Sequence, residues 1–211
     1  MVNHYPWVIQ LMTTFPSAPG WTIHRQTPFG PFTRVLRDVP TVSEEELLAA
    51  LTEMVQCGAS VNRTDSDGNA ALYLAAQNGR ESLCRWLIEL GADVNRRNSR
   101  RETALHAAAQ WGHAACVSAL LECGADVELN DGDDCELLKA ALTPVIGKNG
   151  YLTKPNVEVV RLLLAAGASV NDDELLIRAE RYGDAELVRL LARYGADVSL
   201  RDSDDKISVS Q

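Results

Sequence analysis

Four histidines, five cysteines and an excess of carboxylates are the side chains here that could carry acid–base, nucleophilic or metal chemistry. Cys57, Cys84, Cys116, Cys123 and Cys135 include no Cys-x-x-Cys pair, so a zinc pattern is missing. Their odd number and scatter fit a reduced compartment better than a disulfide framework. His4 and His24 lie in a proline-rich segment without a partner at ligand spacing. The run Asp131-Gly-Asp-Asp134 lacks the spacing and the closing glutamate of a calcium loop, and reads as a solvated loop. No phosphate-cradling glycine loop and no nucleophile elbow is present. No catalytic residue, no metal ligand and no cofactor is therefore expected.

The charge balance narrows the partners. A formal net charge of -9 and a pI near 4.9 repel nucleic acid and anionic membrane and favour a basic partner. No apolar run is long enough to span a membrane. The run Trp7-Val-Ile9 is too short for a signal peptide and follows no basic stretch. A cytoplasmic location is expected, or a nuclear one in a eukaryote.

With no chemistry to place, the elements themselves become the question, and they repeat. A five-residue word recurs at Gly58-Ala-Ser-Val-Asn62, Gly91-Ala-Asp-Val-Asn95, Gly124-Ala-Asp-Val-Glu128, Gly167-Ala-Ser-Val-Asn171 and Gly195-Ala-Asp-Val-Ser199. The steps between its glycines are 33, 33, 43 and 28 residues. Upstream of each glycine, apolar residues fall at helical spacing, as in Leu83, Cys84, Leu87 and Ile88. They form one stripe that must face a neighbouring element, and the glycine suits a helix end. A shorter helix is expected before each, as in Ala70-Ala-Leu-Tyr-Leu-Ala-Ala76 and Thr103-Ala-Leu-His-Ala-Ala-Ala109.

These segments resemble the Thr-Pro-Leu-His-x-Ala-Ala element of ankyrin repeats, and a 33-residue period of two helices and a turn is that family's signature. The resemblance runs from about Thr41 to Ser199. It implies an all-α solenoid of about five helix-turn-helix repeats joined by hairpin fingers. It implies a structural His106, and His113 reads as scaffold at an interhelical turn. It also implies a protein partner met by the fingers and the outward side of the inner helices. Carried over by register, the partner-binding residues are Ser66, Asp67, Asn69, Gln77 and Asn78 in one repeat. In the next they are Arg97, Ser99, Arg100, Glu102, Gln110 and Trp111, and in the last Arg181 and Tyr182. Trp111 and Tyr182 stand out, because large aromatics dominate binding energy at interfaces. The alternative for Trp111 is packing on its neighbouring turns. Arg96, Arg97, Arg100 and Arg101 make one finger basic, and Glu128, Asp131, Asp133 and Asp134 make the region after it acidic.

The repeat array is assigned to residues 41–199, with an insertion at 143–155 between the two helices of one repeat and a shortened finger near 171–174. The insertion is expected to be exposed and mobile. Residues 1–40 hold six of the eight prolines and all three phenylalanines, which opposes a long helix. They read as an N-terminal cap on the first repeat or as a partner-binding segment. Residues 200–211 read as a frayed tail. The function expected is a non-catalytic adaptor or recognition module. The alternative is an inhibitor of one enzyme, such as an immunity protein against a toxin. Oligomeric state does not follow from the sequence.

Overall fold

A computed structural model describes residues 48–49, 51–52, 55–56, 59–129, 136–144, 155–170 and 173–196. The expectations for residues 1–40, most of the insertion, residues 171–172 of the shortened finger near 171–174, and the tail lie outside the described residues.

Four helix pairs follow one another: α1 (Ala71–Gln77) with α2 (Glu81–Glu89), α3 (Ala104–Gln110) with α4 (Ala114–Glu122), α5 (Glu136–Ala141) with α6 (Val157–Ala165), and α7 (Asp173–Arg181) with α8 (Ala185–Arg193). The described residues between 48 and 56 are helical as well and precede the first pair. Among the described residues there is no strand, only an isolated antiparallel bridge between Thr64 and Ala70. The first helices of the pairs pack in a row, α1 on α3 and α3 on α5. The second helices make a parallel row, α2 on α4, α4 on α6 and α6 on α8. This is an all-helical ankyrin-type solenoid.

The short inner helices hold together because they are built from small residues. Ala71, Ala75 and Ala76 in α1, and Ala104, Ala107, Ala108 and Ala109 in α3, are all buried, and the two helices pack on each other. Leu72 and Leu105 of the same helices, and Leu83, Leu87 and Leu120 of α2 and α4, are almost fully enclosed in one apolar cluster. Each such leucine contributes about 1.5–3 kcal/mol by leaving water. One apolar cluster runs unbroken from Leu51 to Ala196, so each repeat is stabilised by its neighbours.

The recurring word ends each outer helix. Gly91, Gly124, Gly167 and Gly195 all have positive φ, between 85° and 102°. At the first of them, Gly91 N–H donates to the Ile88 carbonyl and Ala92 N–H to the Leu87 carbonyl. These bonds satisfy carbonyls that the helix end leaves without partners. The asparagine closing the word then ties repeats together. Asn62 Nδ2 donates to the Gly91 carbonyl at 2.9 Å and its Oδ1 accepts from Asp93 N–H at 3.1 Å. Asn95 makes the same pair of bonds to Gly124 and Asp126 one repeat on.

The last pair is joined differently. Arg178 stands where Leu74 and Ala107 stand in earlier inner helices, and it donates to Thr143 Oγ1 at 3.0 Å. The Tyr182 hydroxyl donates to the Leu142 carbonyl at 3.0 Å, and Lys139 pairs with Glu174. A polar seam therefore ties α7 to α5.

Candidate protein-binding surface

Each described finger is a tight hairpin built on one buried side chain. In the first, Asp65 is buried and its Oδ1 accepts from the N–H groups of Asp67 and Asn69, both at 2.9 Å. In the second, Asn98 Oδ1 accepts from Arg100 and Glu102 N–H in the same way. Such side-chain-to-backbone bonds fix a turn locally. Ser66 and Asp67 are thereby left exposed at one tip, and Ser99 and Arg100 at the next. Asn69 is not on that surface. It is buried at 6 % exposure, donates to Asp65 Oδ2 and accepts from Asn98 Nδ2, so the partner role expected of it is corrected to a bond between fingers.

Glu102 has a double role. It is half-buried, and its Oε2 accepts from the Tyr73 hydroxyl at 2.9 Å, from Asn98 Nδ2 at 3.0 Å and from the Arg100 guanidinium. Arg100 also donates to the Tyr73 hydroxyl at 3.2 Å. Burial, reinforced by Glu102, pushes the Tyr73 phenol up to about 12, so it stays a neutral donor. Glu102 and Tyr73 thus take the Nε and Nη2 edge of the Arg100 guanidinium, although the side chain is 67 % exposed. Arg97 is half-buried and donates to the Leu129 carbonyl, which turns it towards the following segment.

The ends of the inner helices form a second line. Asn78 and Trp111 are the residues that cap α1 and α3, and Tyr182 follows α7 at the equivalent place. Asn78 is exposed, with its Nδ2 returned to the Leu74 carbonyl. Gln77 and Gln110 are half-buried, and the Gln77 carbonyl lies 3.1 Å from His113 Nε2. Arg181 is exposed, whereas Tyr182 is half-buried and spends its hydroxyl on Leu142. Trp111 is half-buried, and among the described residues its indole N–H has no hydrogen-bond partner. Because no buried polar side-chain atom there lacks a partner, that N–H faces solvent.

The titratable side chains are used by the scaffold. His106 is buried and its Nδ1 lies 3.2 Å from the Thr103 N–H and 2.9 Å from Thr103 Oγ1, which closes a capping box on α3. Burial holds its pKa below the usual imidazole value. Cys84 and Cys116 are buried side by side, and their hydrogen bond together with desolvation pushes the Cys84 thiol well up, away from a reactive thiolate. Among the described residues no group of His, Cys, Asp or Glu could hold a metal ion, and no helix is long and apolar enough to cross a membrane.

Three features of this surface escape simple register. Tyr73 anchors the second finger. Arg101 has a positive φ of 66° where the first finger has Gly68. Ile177, which stands at the position of the buried Tyr73 and His106, is 50 % exposed, because among the described residues no further inner helix follows α7. The 33-residue alignment of Gly68 with Arg101 was the available signal for the second of these.

Stacked helix pairs with hairpin fingers define a repeat scaffold. A family model of ankyrin repeats, in three copies, matches residues 42–131. That stretch is similar to the ankyrin-repeat family, and α5 to α8 continue the same plan of helix pairs. Ankyrin repeats are generally protein–protein interaction modules, binding other proteins. No curated protein matches the sequence significantly.

Proposed function

We propose that this chain is a non-catalytic recognition module that binds one protein partner across its finger tips and the ends of its inner helices. The contact residues are Ser66 and Asp67, Ser99 and Arg100, Asn78, Gln77, Gln110 and Trp111, with Arg97, Glu102, Arg181 and Tyr182 at the margins. Trp111 carries the reading. A large aromatic with an unspent donor at the rim of a rigid helix layer is the kind of side chain that anchors an interface. The net charge of -9 favours a partner that is basic overall, by steering its approach. The test is affinity capture with the full chain, repeated with Trp111→Ala. A partner retained by the wild type and lost by the folded variant is the expected result. Equal retention by both would refute the Trp111 surface. If the captured protein is an enzyme whose activity falls on binding, the module acts as an inhibitor rather than an adaptor.

A further inference from the structure

Three positions that earlier repeats bury or pair against the next repeat are open in the last one. Tyr73 and His106 are buried at 4 % and 6 % exposure, but Ile177 at the same place in α7 is 50 % exposed. Counted back from the repeated glycine, Cys84, Val117 and Val160 share one place in the outer helices and are fully buried, whereas Val188 there is half-buried. Arg85 and Arg161 likewise share a place. Each reaches a glutamate of the following outer helix, Glu122 at 2.8 Å and Glu186 at 3.1 Å. Arg189 stands there in α8, exposed and, among the described residues, without an ion pair. Two apolar side chains and an unspent guanidinium mark one face of α7 and α8 as shaped for a neighbour, since a repeat buries its face only against the next one.

We propose that residues 197–211, which follow Ala196 directly, are that neighbour and dock on this face. The steps between the repeated glycines carry Asp65-Ser-Asp67 of the first finger onto Asp202-Ser-Asp204. The same register carries Ala70 and Leu72, both buried, onto Ile207 and Val209. The segment thus offers apolar side chains at two places where an earlier repeat buries them, and these meet Ile177 and Val188. Fifteen residues reach about 50 Å when extended, against about 14 Å for a nine-residue helix such as α8, so the span is not limiting. Four aspartates against Arg201 and Lys206 leave the segment acidic. That suits a face carrying Arg189 and, one turn beyond Ile177, the exposed Arg181. Glu180, exposed beside them, is already engaged within the chain. A second copy fits less well, because two such faces brought together by a two-fold axis would oppose Arg189 to Arg189.

The experiment follows nitrogen relaxation and amide exchange in the isotope-labelled full chain. Residues 200–209 should relax with the rigid array in the wild type. The double change Ile207→Ser with Val209→Ser should give them the relaxation of a free chain and speed amide exchange in α7 on the order of tenfold, with residues 65–69 unaffected. Ile177→Ser should release the same segment from the other side, and circular dichroism should show the array intact, since that side chain is half exposed already. Free-chain relaxation of residues 200–209 in the wild type would overturn the proposal, as would α7 exchange unmoved by the double change. Resonances of α7 that shift with protein concentration would overturn it too, by giving the face to a second copy. None of these readouts involves Trp111, so this proposal and the partner surface fail separately.

Discussion

Ser99 donates its backbone N–H to the Asp67 carbonyl at 2.9 Å, so the second finger leans directly on the first. The approach is close enough that a Cβ on Gly68 would lie 2.8 Å from both the Ser99 nitrogen and its Oγ. Gly68 therefore meets two demands at once, a positive φ and an empty side chain. Gly91 meets only the first, for nothing lies within 4 Å of its missing Cβ.

A paired substitution separates those demands. Gly91→Ala should cost about 1–2 kcal/mol, the expense of the left-handed backbone alone. Gly68→Ala should cost about 1–3 kcal/mol more, because the two fingers must move apart. Urea unfolding of both variants measures the difference. Equal losses would show that the fingers part without resistance.

The core makes a second prediction. Leu105 is fully enclosed between the helix rows, so Leu105→Ala should cost about 2–5 kcal/mol. Because neighbouring repeats share that apolar cluster, amide exchange should speed up in α1 and α5 as well as in α3. Thr64→Ala, at a half-buried finger position, should stay within roughly 0.5 kcal/mol. A loss of protection confined to α3 would mean that the repeats fold independently.

His106 gives the stability a pH dependence of known sign. Burial lowers its folded pKa below the usual value of 6.5, while the unfolded chain restores it. Between those two values the unfolded state binds the extra proton, so stability is complete above 6.5 and falls as the pH is lowered through that window. Glu102 works against the shift and Arg97 with it, but desolvation is the largest cause. Unfolding free energies of the wild type and of His106→Gln, measured from pH 7.5 down to about 5, isolate the effect. The wild type should lose stability more steeply, and parallel curves would place the titrating group elsewhere.

The helix pairs and their order were legible because they follow from repetition. Word spacing located α2, α4, α6 and α8, and the alanine-rich motif located α1 and α3. What register could not show is which polar side chains are spent inside the array. Asn69 and Ser66 look alike in the sequence, but one is buried between fingers and the other is exposed at a tip. The difference arises from an Asx turn centred on Asp65, whose carboxylate draws Asn69 inwards. Tyr182 shares a register position with Trp111, yet its hydroxyl can reach the Leu142 carbonyl where an indole could not. Likewise Arg178 replaces a small or apolar residue and turns the final junction polar, which periodicity treats as noise.

Trp111 should be the most damaging single position for partner binding. It caps α3 with φ of -86° and ψ of 0°, beyond the buried run that ends at Ala109. The ring is half-buried, so one side rests on the repeat while the N–H side meets water. Truncation removes little of the core, and circular dichroism of Trp111→Ala should match the wild type. A partner pocket that receives the ring would lose about 2 kcal/mol or more, roughly thirtyfold in affinity. Arg97 and Arg100 should behave otherwise, since charge at a rim acts chiefly on encounter; Arg100→Gln should change the association rate and its salt dependence and leave dissociation nearly unaltered. Association and dissociation rates measured against the captured partner separate the two patterns. Unchanged affinity in a folded Trp111→Ala would move the principal contact off the inner-helix ends, with residues 1–40 the next segment to truncate.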